Sequence, residues 1–379
     1  MSQDIRDFVT PSCELLAFGE PTHLGSAFRR VRHELFAQLV VNGFRSIALE
    51  TDRVAAFIVN DYVQKGVGTL EKVMSEGFSH QFGELEDNRR LVAWMREYNE
   101  DRPAEERLAF HGFDAPTENF TAPSPLGYLE YARDYMGLDL DLASLAGADE
   151  QWSRTEAIMD PAMSIGDTAP AGELRVLADD MLTALYWRGP ELIEATSRAE
   201  WFRAEAQLTA GLGLLRYHKQ AAQKLELNAR VSRLMATRDA LMAQNLFAIR
   251  RAETGRGPTF VFAQNTHLQR NLGRWEIDGR DFKWAPAGSI VGSLVGARYV
   301  VVLGSLGRNA DIGLGEPDAD TFEGALQRDI ETWGMTRAAV SGRKRTDVEG
   351  RQGYFPLEQA TVDGADALLH INDGSTRLV

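Results

Sequence analysis

The chain of 379 residues is long enough for two or three domains, or for one large domain that carries an insertion. Its hydrophobic content of 44% and charged content of 25% are typical of a globular protein with a sizeable core. The formal net charge of -14 argues against nucleic acid and anionic membrane surfaces as partners, because proteins that bind them carry a basic excess.

The only cysteine is Cys13, which excludes an intrachain disulfide and a thiolate metal cluster. Residues 1–10 lack the apolar core of a signal peptide, and no apolar run approaches the roughly 18 residues of a membrane span. We therefore expect a cytoplasmic protein that acts on a small molecule. The sequence does not indicate an oligomeric state.

The first predicted strand, 15–18, ends in a polar turn. Glu20, Thr22 and His23 follow Gly19 before a helix begins near Ser26. In open α/β sheets, ligands bind beyond the carboxyl ends of such strands. A carboxylate beside an imidazole can orient a general base, so we place the chemistry here. The alternative is that Glu20 caps the next helix and His23 is an ordinary loop residue.

The next helix, 26–42, has one apolar face with an arginine at its centre. Arg32 projects from this face between Phe28 and Phe36, whereas Arg29, Arg30 and His33 are predicted to lie on the polar side. A guanidinium in an apolar stripe is costly unless a carboxylate or a ligand anion satisfies it. We expect a paired or functional Arg32; the alternative is an arginine that extends past its neighbours to solvent.

Two more apolar strands, 46–50 and 108–114, end in carboxylates. Glu50 closes the first and Asp114 the second, with His111 a little further back. The pattern of strand, helix and strand predicts parallel pairing, which brings these residues to the edge where Glu20 lies. Helices are expected at 54–63 and 86–99, with a looser segment at 66–77.

The segment 115–257 is predicted to be an all-helical insertion, with helices at 126–135, 172–187, 191–216 and 225–251. We expect it to pack as a bundle or cap that forms one side of the active-site cleft. Residues 1–114 and 258–379 would then form a discontinuous α/β catalytic core.

The α/β pattern resumes with a strand at 259–263, which is followed by Gln264, Asn265 and His267. Further strands are predicted at 297–303 and 367–371, and 307–324 is predicted to be a surface loop. The expected fold class is therefore α/β, a mostly parallel sheet flanked by helices with a large helical insertion.

Several familiar catalytic motifs are absent from the sequence. It contains no G-x-S-x-G elbow, no H-E-x-x-H helix, no Walker lysine loop and no G-x-G-x-x-G turn after a strand. The polar residues at the strand ends suit two mechanisms. His23 could activate water as a general base, or histidine and carboxylate side chains could bind a metal. Surface or structural roles are expected for the histidines outside these clusters, which are His33, His80, His218 and His370.

The turn 19–25, with Arg32 nine residues after His23 and Glu50 closing the second strand, resembles the erythromycin esterase family. The likeness continues through 91–99, 112–114 and 263–267, and through Arg238 and Asp239 with the nearby Met242 and Asn245. It therefore extends over nearly the whole chain, and the ordered series is more specific than the turn alone.

The resemblance implies hydrolysis of the macrolactone ester of erythromycin-like antibiotics, which inactivates them, without a metal or another cofactor. His23 would be the base that activates water, and Glu20 and Glu50 would orient the base and the water. Arg32 would join the polar network or stabilise negative charge, and His267 would assist at the carbonyl or the leaving alkoxide. The predicted substrate-binding residues are Gln264, Asn265, Asp114 and His111.

The sequence departs from the family at one position, where an H-N-x-H pair of histidines is common. Gln264 replaces the first histidine, and glutamine cannot carry a proton. This leaves alternatives open: an esterase or lactonase for a non-macrolide substrate, or a metal-dependent hydrolase that uses the same histidines and glutamates. A binding protein without turnover is a further alternative.

Overall fold

The computed structural model describes residues 2–277 and 279–375, which form nine strands and a larger set of helices. The strands are β1 (Leu15–Glu20), β2 (Ser46–Asp52), β3 (Ala109–Asp114), β4 (Thr259–Gln264), β5 (Gly273–Ile277), β6 (Arg280–Trp284), β7 (Tyr299–Arg308), β8 (Trp333–Arg337) and β9 (Ala367–Asp373). The helices are α1 (Ala27–Val41), α2 (Ala56–Lys65), α3 (Leu70–Glu76), α4 (Glu86–Asn99), α5 (Leu126–Met136), α6 (Ala143–Ala146), α7 (Glu150–Ser153), α8 (Thr155–Met159), α9 (Ala169–Trp187), α10 (Gly189–Ala195), α11 (Arg198–Ala221), α12 (Leu227–Ala252), α13 (Asn265–Leu268), α14 (Ala287–Val295), α15 (Phe322–Gln327) and α16 (Gln359–Gly364).

Seven strands form one sheet in the order β3-β2-β4-β1-β7-β9-β8. Neighbouring strands run parallel, except that the edge strand β8 is antiparallel to β9. The predicted α/β class with a mostly parallel sheet is therefore confirmed. The central strand β1 pairs with β4 in a register that sets Glu20 beside Gln264, so polar residues that end different strands meet at one edge.

Both faces of the sheet are covered, which explains why its central strands read as apolar runs. All six residues of β1 are buried. Leu16 and Phe18 pack in the core that includes the apolar face of α1, and Leu15 and Ala17 pack on the opposite side. A strand buried on both faces holds its terminal residues rigidly, and these terminal residues carry the site.

Between β3 and β4, the structure contains helices α5 to α12 and no strand among these residues. Three of the longer helices, α5, α9 and α11, share a core of their own around Trp152 and Leu208. The second half of α12 instead packs on the sheet, where Leu246 and Ile249 meet Val261. The helical content of 115–257 is as predicted, and its status as a separate cap domain stays a prediction.

Several predicted elements differ from the observed ones. The helix predicted over 191–216 is two helices, α10 and α11, because the Ser197 side chain caps α11 by accepting a hydrogen bond from the Glu200 N–H. The looser segment 66–77 contains α3, which Thr69 caps in the same way. The predicted loop 307–324 overlaps the end of β7 and the start of α15. None of the helices in the described ranges is long and apolar enough to cross a membrane.

Candidate active site

The carboxyl ends of β1, β2, β3 and β4 meet at one edge of the sheet. Glu20, Glu50 and Asp114 lie at or near the ends of the first three strands, and all three side chains are buried. His267 follows β4 on the short helix α13. Gly19 is required here, because a Cβ atom at this position would lie 2.2 Å from the Asn265 side-chain oxygen.

His23 is held by one of these carboxylates and faces a second. Its Nδ1 lies 2.9 Å from Glu20 Oε1, and its Nε2 lies 3.8 Å from Glu50 Oε1. Nδ1–H therefore donates to Glu20, which leaves Nε2 as the basic nitrogen. The side chain is 30% exposed, so this nitrogen can meet a substrate or water. Burial lowers the pKa of His23, but Glu50 and Glu20 outweigh that effect and raise it.

His267 is arranged in the same way on the other side of Glu50. Its Nδ1 lies 2.9 Å from Asp239 Oδ1, and its Nε2 lies 3.3 Å from Glu50 Oε1. Asp239 is fully buried and accepts two more hydrogen bonds, from the Trp284 indole N–H at 2.9 Å and from the Ala287 backbone N–H at 2.8 Å. Burial lowers the pKa of His267, and the Asp239 and Glu50 carboxylates raise it above its usual value.

Glu50 is the shared carboxylate between the two histidines. Burial raises its pKa, but His267, His23 and Arg238 outweigh this and lower the pKa to about 2, so Glu50 is ionised at neutral pH. Its second oxygen accepts the Gln264 backbone N–H at 2.8 Å, which fixes the orientation of the carboxylate. A buried anion with this many donors is a rigid electrostatic centre.

Arg238 and His80 complete the network, and neither is among the site residues predicted from the sequence. Arg238 donates to both oxygens of Asp114, at 2.9 and 2.5 Å, and also to Glu50 at 3.3 Å. His80 contacts Asp114 at 2.9 Å and Glu118 at 2.9 Å. Burial lowers the pKa of His80, but these two carboxylates raise it to about 9.

The sequence indicates Arg238 as a site residue more clearly than His80. Arg238 belongs to the family-like pair with Asp239 on α12, and that pair could have indicated it. His80 lies in an irregular connection and has the left-handed φ of 56°, so no periodic pattern points to it. The sequence predicts a surface or structural role for His80. It is largely buried, pairs with Asp114 and Glu118 and borders the cleft, so a surface role is excluded and a structural role is not.

The network opens into a cleft of about 550 Å³. Polar groups of the site line one part of it, and apolar side chains of the α12 region, the β5–β6 hairpin and the loops line the rest. The lining includes His23, Glu50, His80, Arg238, Gln264 and His267, together with Leu24, Phe82, Met235, Trp275, Trp284 and Phe355. The site can therefore accommodate a substrate much larger than its polar centre.

Arg32 is buried as expected, with only 1% of its surface exposed, but it does not line this cleft. Its guanidinium donates to Asn88 Oδ1 at 2.8 Å and to the Asp87 carbonyl at 3.3 Å, and it stacks over the Phe262 ring. An amide and a carbonyl thus hold it, where a carboxylate or a ligand anion was expected. Arg32 instead lines a separate small cavity of about 20 Å³, together with His23, Glu20 and Glu50.

Arg29 corrects a second expectation, because it is buried and does not lie on a polar face. It donates to the His23 carbonyl at 3.0 Å and lies 3.8 Å from Glu20 Oε2 and 3.6 Å from Asp87. The neighbouring carboxylates, Glu20 and Asp87, belong to other elements, and the spacing of apolar residues along the helix does not indicate such contacts. Arg29 therefore supports the turn that carries His23.

Of the remaining predicted residues, Gln264 and Asp114 belong to the site, whereas Asn265 and His111 do not line the cleft. Gln264 lines the cleft, with its side-chain oxygen bonded to the Thr266 hydroxyl, and Asp114 lies directly behind Arg238. Asn265 instead ties α13 to β7 by two hydrogen bonds with Gly304, at 2.8 and 2.9 Å.

His111 pairs with Glu253 at 2.8 Å and does not line the cleft. The structure therefore brings Glu20, His23, Glu50, His267 and Gln264 together. It does not bring Arg32, Asn265 or His111 to the cleft. Within the described ranges, no group of three or more His, Cys, Asp or Glu side chains is placed to hold a metal ion.

The fold and site define an α/β protein whose histidine–carboxylate network lies at the carboxyl edge of a mostly parallel sheet. The family model described as Erythromycin esterase matches residues 40–369. The chain belongs to the erythromycin esterase family. None of the curated proteins matches it.

Three solved structures are similar to the chain in fold. A histidine-to-asparagine mutant of the erythromycin esterase EreC in its open conformation is 17% identical, with a TM-score of 0.66, and the match covers 99% of this chain and 96% of that one. A succinoglycan biosynthesis protein is 16% identical, with a TM-score of 0.68 and coverage of 97% and 89%. A protein from Bacillus cereus is 15% identical, with a TM-score of 0.65 and coverage of 98% and 93%.

Proposed function

We propose that this protein is a hydrolase that opens the macrolactone ester of erythromycin-like antibiotics with a water molecule activated by His23. The observation that carries this proposal is the His23 arrangement. Nδ1 is tied to buried Glu20 at 2.9 Å, and Nε2 is left free beside the ionised Glu50 at the floor of the cleft. An imidazole that is fixed through one nitrogen and open at the other is the usual form of a general base.

In the proposed reaction, water binds between His23 Nε2 and Glu50. His23 takes one proton from this water as its oxygen adds to the ester carbonyl, which forms a tetrahedral oxyanion. The imidazolium then returns that proton to the leaving alkoxide as the carbon–oxygen bond of the ester breaks. This transfer leaves His23 neutral again. The products are a carboxylic acid, which then loses its own proton to solvent, and a hydroxyl on one opened chain.

His267 and Arg238 are the proposed electrophilic groups of the reaction. Both border the cleft, and both lie 3.3 Å from the Glu50 oxygen that faces His23. The raised pKa of His267 favours its imidazolium form, which can donate a hydrogen bond to the oxyanion. A well-placed donor of this kind contributes about 2.7–4 kcal/mol to transition-state stabilisation.

The cleft supports a bulky and largely apolar substrate. Trp275 and Trp284 of the β5–β6 hairpin and Met235 of α12 line its wall, as do Phe82 and Leu24. A macrolactone ring presents an extended apolar surface with few polar groups, which suits such a wall. Family membership and this wall together favour a macrolide over a small ester.

Gln264 favours a second candidate, a related lactone or ester that is not a macrolide. Its side chain lies beside His267 in the cleft lining and cannot carry the proton of the histidine common in the family. If that proton is needed for macrolide hydrolysis, Gln264→His should raise macrolide turnover. If the glutamine instead suits another substrate, the same variant should lower turnover of that substrate.

The test is a panel of a 14-membered macrolide, a 16-membered macrolide, a small lactone and an aryl ester, read by mass spectrometry for gain of one water. We expect gain with at least one macrolide for the wild type, unchanged by a chelator, and a rate about 10²–10⁴-fold lower for His23→Asn. Gain only with the small substrates would replace the macrolide by the second candidate. Loss of activity with chelator would favour the metal-dependent alternative, and macrolide binding without turnover would favour a binding protein.

A further inference from the structure

Two further cavities lie beside the catalytic cleft, between the end of β2 and the start of the helical insertion. Their volumes are about 280 and 580 Å³. Asp52, Pro123, Tyr128 and Ser153 line both, so the two cavities are neighbours around the same four side chains, which together define the site. Glu118 lines both the smaller cavity and the catalytic cleft, so the two are adjacent.

The lining of these cavities is anionic, hydroxylic and aromatic. Asp52 lines both cavities and Asp149 lines one, whereas Glu118, which lines the smaller cavity, is already paired with His80 at 2.9 Å. Among the described residues that line them, none is lysine, arginine or histidine. The catalytic cleft differs in this respect, because three histidines and Arg238 offset its carboxylates.

Asp52 has no ion-pair partner among the described residues. Its Oδ1 accepts the Val54 backbone N–H at 2.7 Å, and no described cationic side chain forms a salt bridge with it. Burial raises its pKa to about 6, and this effect outweighs the backbone N–H groups of Val54 and Ala55 and the charge of His80, which act in the opposite direction. At neutral pH this carboxylate is mostly ionised, and a cation beside it would be stabilised.

Two neutral side chains, Thr117 and Tyr128, also favour a cation at this site. Thr117 lines the smaller cavity and is 3% exposed, and its hydroxyl oxygen has no hydrogen-bond partner among the described residues. The Tyr128 ring lines both cavities, and an aromatic face attracts a cation. A carboxylate, an aromatic ring and a free hydroxyl acceptor are the groups that recognise an alkylammonium ion.

We propose that this site binds an aliphatic ammonium group, with Asp52 as its charge partner and the Tyr128 ring against its alkyl substituents. The ammonium could belong to the substrate in the adjoining cleft or to a separate amine. The site itself does not rest on the proposed hydrolysis, because its binding can be measured without turnover.

The first test is calorimetric titration of the full chain at neutral pH with cyclohexylammonium, and with cyclohexanol as the uncharged ligand of the same ring. We expect the ammonium to bind at least tenfold more tightly than the alcohol and Asp52→Asn to abolish this difference. The amide oxygen can still accept from Val54, so the fold should be kept. Asp179→Asn is the matched control, because Asp179 is exposed on α9 and lines neither cavity.

Tyr128→Leu gives a second variant, for which we expect a several-fold loss of ammonium affinity at unchanged cyclohexanol affinity. The proposal is overturned if the ammonium binds no better than the alcohol. It is also overturned if folded Asp52→Asn and Asp179→Asn bind the ammonium equally well.

Kinetics with two macrolides then separate the two sources of the ammonium. One macrolide carries a dimethylamino sugar, and the other carries the same sugar with its nitrogen acetylated and uncharged. If the substrate supplies the ammonium, Asp52→Asn raises KM for the charged macrolide alone. If a separate amine is the ligand, the variant loses cyclohexylammonium binding with both KM values unchanged.

Discussion

Glu50 determines how the two histidines of the site behave. Both approach the same carboxylate oxygen, His23 at 3.8 Å and His267 at 3.3 Å, so a proton on one lowers the pKa of the other. Such a pair titrates as a unit. One neutral and one protonated imidazole is the state that the proposed reaction needs, with His23 as the base and His267 as the donor.

The first prediction concerns Glu20, which raises the pKa of His23. Activity requires neutral His23, so it should rise with pH through a pKa above 6.5 in the wild type. Glu20→Gln removes the negative charge and lowers that pKa, so the acidic limb should move to lower pH while kcat falls. A pH profile of kcat/KM measures both effects. An acidic limb that stays in place would show that Glu20 does not act on the base.

Trp284 is predicted to position His267 through Asp239. Its indole N–H donates to Asp239 Oδ2 while Oδ1 accepts from His267. Trp284→Phe leaves Asp239 Oδ2 without its donor, so the Asp239 carboxylate should accept more strongly from His267. The pKa of His267 should then rise, and the alkaline limb of the pH profile should move to higher pH.

Trp275→Phe is the matched control for that experiment. Trp275 lines the same wall of the cleft but does not contact Asp239. Its replacement should change KM and leave the alkaline limb in place. Equal profiles for the two variants would contradict a positioning role for Trp284.

Among the elements, α1 and α4 are joined by several polar contacts, of which the hydrogen bond between Arg32 and Asn88 is fully buried. Asn88 of α4 accepts from Arg32 of α1 at 2.8 Å and donates to the Phe82 carbonyl at 2.9 Å. Asn88→Leu would leave buried donors and acceptors unpaired. We expect the free energy of unfolding to fall by about 1–3 kcal/mol.

Urea unfolding measures this loss, with Arg90→Ala as the control on the exposed face of the same helix. A surface change of that kind should stay within about 0.5 kcal/mol. If both variants unfold at the same urea concentration, the contact between α1 and α4 does not stabilise the fold.

The elements also differ in how clearly the sequence predicts them. Strands buried on both faces, such as β1 and β4, read as short apolar runs and are predicted at nearly the observed positions. The β5–β6 hairpin escapes prediction because β6 mixes exposed polar residues with buried ones and has no apolar run. The edge strand β8 escapes it because its buried part is only three residues long, from Trp333 to Met335. The break before α11 escapes it because one serine cap interrupts an otherwise continuous helical pattern.

For the molecule as a whole, the rule that ligands bind at strand ends predicts much of the site from the sequence alone. Glu20, Glu50 and Asp114 meet because parallel strands end at one edge. Arg238 and Asp239 reach the same edge on α12 of the helical segment. His80 reaches it on the connection between α3 and α4. Such residues depend on packing between distant segments, which periodicity within one segment does not encode.

Stability of the whole molecule should depend on a histidine that does not line the catalytic cleft. His218 is fully buried, donates to the Pro123 carbonyl at 3.1 Å and packs against Trp152. Burial lowers its pKa to about 4, so between pH 6.5 and 4 the unfolded chain binds a proton that the folded chain does not. Stability should therefore be lost as pH falls through this window, by about 3 kcal/mol from this residue.

His218→Gln keeps a donor for Pro123 and removes the titration. Its stability should fall less steeply than that of the wild type between pH 6.5 and 4, as measured by urea unfolding at several pH values. Parallel curves for the two proteins would mean that His218 does not carry this pH dependence.

The most direct test of the account is hydrolysis of a 14-membered macrolide in ¹⁸O-labelled water, followed by mass spectrometry of the product. The wild type should give a ring-opened acid that carries one labelled oxygen in the new carboxylate. His23→Asn should reduce the rate by about 10²–10⁴-fold while the protein stays folded. An unlabelled product, or a His23→Asn variant as fast as the wild type, would contradict water activation by His23.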